Sequence, residues 1–323
     1  MSKLQEENCL VLEAASEDEG KRLDIFLTEK ISGWSRSRLK RLIQEGDVSI
    51  NDQQTKPSYK LRAGDRIEIE LNEIPVAQFK PENIPIEIIF EDEFLAVVNK
   101  PSGMVVHPGA GVVSGTLANA IAWHFNLASK KSKSPEELCR VGIVHRLDKE
   151  TSGLLVVAKS DEIQESLSEQ FRERLVQKKY LALVHGNPES DSGKIEAPIA
   201  RDRKSRIKMK VAEKGRYALS IWRVMKRYEH FSLLEVEIKT GRTHQIRVHL
   251  AYIGHPIVGD KLYNSGRDKT LRDVNLRNLI LDLNRFFLHS SFLAFQHPIT
   301  KQYLEFNSPL PLDLENFLSK LSR

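Results

Sequence analysis

Residues 141–158 read Val-Gly-Ile-Val-His-Arg-Leu-Asp-Lys-Glu-Thr-Ser-Gly-Leu-Leu-Val-Val-Ala, with an apolar run on each side of a polar, highly charged connection. The runs Ile143–Val144 and Leu154–Ala158 are rich in β-branched residues, which predicts strands that enter and leave a core. Thr151-Ser152-Gly153 predicts a turn, because its side chains are small and its glycine can take a positive φ. Asp148 is therefore expected on a short loop between rigid strands, where a scaffold can present a catalytic side chain. On these grounds alone, an aspartate that only stabilises the turn is the simpler interpretation.

The ten residues from His145 to Leu154 resemble, as a continuous string, the signature of the RluA/RluD family of RNA pseudouridine synthases. This resemblance implies an isomerase that converts uridine in RNA to pseudouridine. The catalytic aspartate of the family falls on Asp148. Its arginine two residues earlier falls on Arg146, which would occupy the place that the target base leaves in the RNA stack.

Further motifs extend the resemblance over most of residues 86–311, namely Asn99 to Gly109, Lys178 to Val184 and Thr240 to Leu250. In the family, a tyrosine at the place of Tyr180 lies against the target base and could assist the final proton removal. An arginine at the place of Arg242 pairs with the catalytic aspartate. Thr243 is predicted to cap a helix, which puts Arg242 at a strand-to-helix turn. The simpler alternatives are a half-buried strand tyrosine and a capping or surface arginine.

Composition and charge narrow the class of protein. Over 323 residues the chain has 29% charged and 7% aromatic residues, which is typical of a soluble globular protein. Its net charge of +5 favours a polyanionic partner. Cys9 and Cys139 lie far apart, so neither a disulfide framework nor a paired metal site is predicted. This use of cysteine favours a reducing cytoplasm. The N-terminus lacks the layout of a signal peptide, and no continuous apolar span is found.

A compact basic module is predicted near the N-terminus. From Lys21 to Arg66 there are eleven Lys/Arg and six Asp/Glu, an excess of five positive charges. The order of helix, basic helix and short hairpin resembles the α-L RNA-binding module of a small-subunit ribosomal protein. Its second helix carries the candidate phosphate contacts Arg36, Arg38, Lys40 and Arg41. A solvated helix face is the alternative for any one of them.

A second basic segment, Arg201 to Lys210, carries six basic residues and one acidic residue. It is predicted to be a surface hairpin. The resemblance implies that loops here grip the RNA, with Arg203, Lys204 and Arg206 as candidate contacts.

Four segments are predicted along the chain: an N-terminal extension (1–19), an RNA-binding domain (20–72), a proline-containing linker (73–85) and a catalytic domain (86–323). The resemblance implies an α+β fold, in which a mixed, largely antiparallel sheet with flanking helices carries Asp148 in its cleft. The small N-terminal domain is expected to be α/β.

The implied reaction breaks an N-glycosidic bond, turns the uracil and rejoins it through C5, so it is redox-neutral and needs no cofactor. Gly109-Ala-Gly111 does not fit a dinucleotide motif, because Ser114 stands where the third glycine is required. His244 and His249 are five residues apart, on different helix faces, so structural roles are favoured over a metal site. The carboxylate could attack the sugar or the base, or remove the C2′ proton, and the sequence leaves these routes open.

The overall layout is most similar to the branch of the family that modifies large-subunit ribosomal RNA. A member acting on another ribosomal RNA or tRNA site is an alternative. A non-catalytic RNA-binding or ribosome-assembly factor is a second alternative, although binding alone does not need Asp148. A metal-dependent nuclease or hydrolase is a third, and it would require carboxylates or histidines at ligand spacing.

Overall fold

A computed structural model describes residues 9–31, 34, 36–70, 80–108, 112–126, 142–202, 205 and 207–321. The chain forms two compact units, one made of Met1–Ile84 with His107–Cys139 and the other of Pro85–Val106 with Arg140–Arg323. No helix in the described part of the chain is both long and apolar enough to cross a bilayer.

The first unit contains a four-stranded antiparallel sheet with the strand order β1-β4-β2-β3. Its strands are β1 (Cys9–Glu13), β2 (Val48–Ile50), β3 (Gln53–Gln54) and β4 (Arg66–Glu70). Its helices are α1 (Leu23–Lys30), α2 (Arg36–Glu45) and α3 (Leu117–His124). The small α/β domain predicted from the sequence is thus present.

The core of this sheet and its first two helices follows the apolar pattern of the sequence. Leu39, Leu42 and Ile43 form the predicted apolar stripe of α2 and are buried. They belong to one cluster with Phe26 of α1 and Ile69 of β4. Strand β1 lies in the segment predicted to be an extension, yet it pairs along its whole length with β4. The sheet therefore begins earlier in the chain than the predicted domain.

The second unit is built on a larger sheet with the strand order β5-β6-β7-β14-β8-β13-β12-β9, and β15 pairs with β14. Its strands are β5 (Glu87–Glu91), β6 (Leu95–Lys100), β7 (Ser152–Ala158), β8 (Gln177–His185), β9 (Ser192–Glu196), β12 (Leu219–Arg227), β13 (Phe231–Ile238), β14 (Leu288–Gln296) and β15 (Tyr303–Asn307). A separate hairpin is formed by β10 (Ile199–Arg201) and β11 (Met209–Val211).

The helices of this unit are α4 (Asp161–Arg172), α5 (Gln245–Tyr252), α6 (Arg267–Thr270), α7 (Val274–Leu283) and α8 (Leu312–Leu321). Within the large sheet β7 and β14 run parallel, and the other described pairs are antiparallel. The α+β class with a mixed, largely antiparallel sheet is therefore confirmed.

Strand β7 is buried from end to end because it lies inside this sheet, between β6 and β14. Gly153 near its start has φ +115°, and a Cβ atom there would lie 2.2 Å from the carbonyl oxygen of Ser290. Only glycine permits this approach of β7 to β14. Ser290 pairs with Gly153 on one side and with Tyr180 of β8 on the other. Only β14 therefore separates Tyr180 from Gly153, so Tyr180 lies near the loop that precedes β7.

Candidate active site

The loop between Ile143 and β7 presents Asp148 as the sequence predicts. Arg146 is exposed, Leu147 is buried, and the Asp148 side chain is 21% exposed. The backbone N–H of Thr151 donates to the Asp148 carbonyl oxygen at 3.1 Å, which closes a tight turn. Because Leu147 fixes the loop in the core, its two charged neighbours are held toward solvent.

The segment that follows β6 anchors this loop from the other side. The ammonium group of the fully buried Lys100 donates to the carbonyl oxygens of Pro101 at 2.7 Å, Met104 at 2.8 Å and Lys149 at 3.1 Å. The backbone N–H of Gly103 donates to the same Lys149 oxygen at 2.8 Å. Burial lowers the pKa of Lys100 to about 7. The first motif of the sequence thus fixes the residue next to Asp148.

The cation that pairs with Asp148 is Arg247, in the first turn of α5. Its Nη1 donates to Oδ2 of Asp148 at 3.0 Å, while Nε and Nη2 donate to the two oxygens of Asp260 at 2.7 and 2.9 Å. The guanidinium lies 4.3 Å from the ring centre of Phe286 and 5.0 Å from that of Tyr263. A bidentate bond to Asp260 and two aromatic rings hold the arginine in place, and a third N–H group of the guanidinium donates to Asp148.

The predicted pairing of Arg242 with Asp148 is therefore corrected to Arg247. Arg242 lies between β13 and α5 as predicted, and its Nε donates to the carbonyl oxygen of Tyr217 at 3.1 Å. The motif contains two arginines five positions apart, and the start of the helix decides which one faces the aspartate. The helix was expected to begin after a Thr243 cap. Instead His244 is the cap residue, with φ 55° and no side-chain capping bond, and the helix begins at Gln245.

The charges around Asp148 keep its carboxyl ionised at neutral pH. Burial by itself raises the pKa of this group, but His244, Arg247 and Arg146 outweigh burial and hold the pKa below its ordinary value of 3.8. The imidazole contributes only when it is protonated, whereas the two arginines are charged at every relevant pH. The site therefore contains an ionised carboxylate, held in position by Arg247, that can act as a base or a nucleophile.

Tyr180 lies on β8 with its side chain buried, and its backbone pairs with Ser290 of β14. Burial, and to a lesser extent the charge of Asp148, raise the pKa of Tyr180 above its ordinary value of 10. That Tyr180 and Asp148 share one site stays a prediction, which the pairing of Ser290 with both Tyr180 and Gly153 supports. Because the phenol stays protonated at neutral pH, Tyr180 can offer an aromatic face, and its help in proton removal stays a prediction.

Two of the predicted phosphate contacts of α2, Arg36 and Lys40, also form ion pairs within the protein. Arg36 and Lys40 approach the buried carboxylate of Asp24 at 2.8 and 3.8 Å, and Arg22 approaches it at 3.0 Å. The Arg36 and Lys40 side chains remain 47% and 44% exposed. Three cations thus share one anion, which leaves two positive charges at this place.

The side chains of Arg38 and Arg41, and the residues Arg203, Lys204 and Arg206, lie outside the described residues. The hairpin expected around the last three is present, because Arg201 of β10 pairs with Met209 of β11.

His249 has the structural role that the sequence favours. Its Nε2–H donates to the Ala197 carbonyl oxygen at 2.9 Å, and its Nδ1 accepts from the Ser220 hydroxyl at 2.9 Å. Across the described ranges, no three histidine, cysteine or acidic side chains are placed to hold a metal ion.

Two family models match this chain. The model described as RNA pseudouridylate synthase matches residues 94–252, and the S4 domain model matches residues 21–67. The first match contains Asp148, Tyr180 and Arg247, and the second contains α1, α2 and the buried Asp24.

Full-length relatives and solved structures are similar to the chain. It is 40% identical to the Uncharacterized RNA pseudouridine synthase YlyB of Bacillus subtilis, covering 98% of this chain and 99% of the relative. It is 41% identical to the Ribosomal large subunit pseudouridine synthase D of Zymomonas mobilis, covering 92% of each. The structure of Human RNA Pseudouridylate Synthase Domain Containing 1 aligns with a TM-score of 0.56 and 26% identity, covering 73% of this chain and 89% of the human chain.

Proposed function

Because this chain belongs to the family of RNA pseudouridine synthases, which convert uridine in RNA to pseudouridine, we propose that it acts on large-subunit ribosomal RNA with Asp148 as its catalytic carboxylate. The family and the isomerase activity expected from the sequence are confirmed. The choice of RNA is supported by relatives named Ribosomal large subunit pseudouridine synthase D, at 38 to 41% identity. The observation that carries the assignment of Asp148 is its ion pair with the fixed Arg247.

In the proposed mechanism, the target uridine leaves its stack, at a cost of roughly a few kcal/mol, and enters the site above Asp148. The exposed Arg146 fills the place that the base leaves. The uracil then lies against the ring of Tyr180. Arg247 keeps Asp148 ionised and oriented, so the carboxylate can act at the sugar or the base without a cofactor.

We propose that the predicted domains have separate roles in RNA binding and in catalysis. The basic module of residues 20–72, now joined by β1, binds RNA phosphates. A linker at residues 73–85 leads to the proposed catalytic domain of residues 86–323, from which His107–Cys139 departs to join the first compact unit. Arg242, the side chains of Arg38 and Arg41, and the hairpin residues Arg203, Lys204 and Arg206 are proposed as further RNA contacts. We propose a cytoplasmic location, where ribosomal RNA is available.

Mapping of pseudouridine across ribosomal and transfer RNA tests the substrate. In cells that lack this chain, specific large-subunit sites should stay unmodified, and wild-type protein but not Asp148→Asn should restore them. Loss of sites only in small-subunit RNA or tRNA would contradict the proposed RNA. Restoration by Asp148→Asn would favour a non-catalytic assembly factor.

The module is tested by the salt dependence of RNA binding. The slope of log affinity against log salt is negative. Each of Arg36→Gln and Lys40→Gln should make it shallower by roughly 0.7–0.9, as expected for one lost phosphate contact. Arg22→Gln is the matched control, because it removes another cation from the same Asp24 carboxylate. An equal change of slope in Arg22→Gln would mean that the effect comes from the fold of the module and not from phosphate contacts.

A further inference from the structure

The hydroxyl of Tyr263 determines which nitrogen of His244 carries a proton. This oxygen accepts a hydrogen bond from the backbone N–H of Met209 at 2.8 Å and lies 2.7 Å from Nδ1 of His244. No other acceptor for the tyrosine proton is found within the described part of the chain. The hydroxyl therefore donates to Nδ1, and the hydrogen of the neutral imidazole lies on Nε2.

The surroundings of His244 keep the imidazole neutral. Burial is the main cause of a pKa below the ordinary value of 6.5, and Arg247 and Arg146 add to it. Asp148 and Asp260 act in the opposite direction and do not cancel these effects. At neutral pH the ring is therefore a neutral hydrogen-bond donor at Nε2.

Among the described residues, the Nε2–H group of His244 has no hydrogen-bond acceptor, and the hydrogen bond of the ring with Tyr263 lies at Nδ1. His244 has a left-handed backbone, which is uncommon outside glycine and is held here by the tight connection into α5. Its side chain is only half-buried, and no described residue accepts from Nε2. Tyr263 links His244 to the catalytic pair, because its ring lies 5.6 Å from the His244 ring and 5.0 Å from the Arg247 guanidinium that donates to Asp148. The second motif histidine, His249, has hydrogen-bond partners for both ring nitrogens, so the open donor is particular to His244.

We propose that Nε2–H of His244 donates a hydrogen bond to a carbonyl oxygen of the target uracil. When the bond between C1′ and N1 breaks, its electron pair stays on the uracil and spreads onto the carbonyl oxygens, while Asp148 compensates the sugar by bonding to C1′ or by taking the C2′ proton. A fixed neutral donor stabilises this charge and keeps its own proton, so the uracil remains bound while it turns toward C5. Tyr263 is a positioning residue, because its hydroxyl selects the tautomer that exposes the donor. The inference rests on the proposed role of Asp148.

His244→Leu and His244→Gln separate a donor from a structural residue. Leucine removes the donor, and kcat for tritium release from RNA labelled at uracil C5 should fall by roughly 10²–10³-fold with little change in KM. Glutamine places an amide N–H near the position of Nε2 and should recover at least about a tenth of wild-type kcat. His230→Gln, at an exposed histidine in the turn between β12 and β13, is the matched control and should retain wild-type kcat.

Tyr263→Phe tests the tautomer independently. It should lower kcat with KM unchanged in the wild-type background, and should have no further effect on kcat in His244→Leu, because no imidazole remains to be fixed. If His244→Leu does not fold, Tyr263→Phe and His244→Gln still decide the outcome. Wild-type kcat in folded His244→Leu, or equal losses in the leucine and glutamine variants, would overturn the donor role.

Failure of the proposed function can be distinguished from failure of the donor role of His244. Absence of tritium release by the wild-type protein, or full release by Asp148→Asn, would refute the function before any His244 variant is compared.

Discussion

Asp148→Asn should abolish tritium release from RNA labelled at uracil C5 while the protein still folds and binds RNA. Asparagine nearly keeps the shape of aspartate but loses its charge, its basicity and its nucleophilicity. The turn at this position uses the backbone of Asp148 and Thr151, and the loop is held through the Lys149 carbonyl oxygen. None of these bonds needs the carboxylate. We therefore expect kcat to fall by at least about 10⁴-fold, as for other lost nucleophiles or bases.

A matched control is available two residues along the same loop. Glu150→Gln removes the charge of a carboxylate that accepts from the backbone N–H of Phe286 at 3.2 Å. It should keep most of the activity, and RNA binding and the melting temperature should be measured for both variants. Near wild-type tritium release by folded Asp148→Asn would show that another group does the chemistry.

Among the proposed single variants, Arg247→Met should lower the melting temperature most. It should also change the pH dependence of any remaining activity. It leaves Asp260, which is fully buried, without its bidentate partner. Removing one member of a buried ion pair costs about 3–5 kcal/mol. For a unit of this size the melting temperature should fall by about 6–20 °C.

The pH effect follows from the sign of the shift at Asp148. With Arg247 present, the pKa of Asp148 lies below 3.8, so the activity and the stability from this pair persist above that pH and are lost as the pH falls through the folded pKa. Without Arg247, burial raises the pKa, and the acidic limb of the rate profile should move to higher pH.

Two further variants distinguish the loss of stability in Arg247→Met from its loss of activity. Adding Asp260→Asn to Arg247→Met removes the buried charge, so the double variant should regain stability but not activity. Arg242→Met should leave the pKa of Asp148 unchanged. If the acidic limb moved in Arg242→Met and stayed in place in Arg247→Met, the partner of the catalytic carboxylate would be Arg242 after all.

Local patterns were enough to predict most of the site's framework. The apolar run that becomes β7 and the polar turn before it predict a strand and a loop with Asp148 between them, and this is the observed arrangement. The apolar stripe of α2 likewise predicts a buried face, because its period reflects only the geometry of one helix. The α+β class followed from the family resemblance.

Long-range pairings were not predictable in the same way. Arg247 faces Asp148 because Asp260 lies thirteen residues further along and because a left-handed His244 delays the start of α5. Asp24 attracts Arg36 from twelve residues away, so a side chain expected to face only RNA also supports its own module. No periodicity in the sequence encodes these partners, since each depends on where another element ends.

The insertion of β14 between β7 and β8 affects the order in which a newly made chain can mature. Ser152 and His289 are 137 positions apart, yet they are hydrogen-bonded in the finished sheet. At a synthesis rate of roughly 5–20 residues per second, the ribosome needs about 7–27 s to make the chain between them. Until then, two central strands lack their common neighbour and expose unpaired edges. A prematurely terminated chain would thus contain every residue from Asp148 to Arg247 without a complete sheet, and would be a substrate for chaperones or proteases.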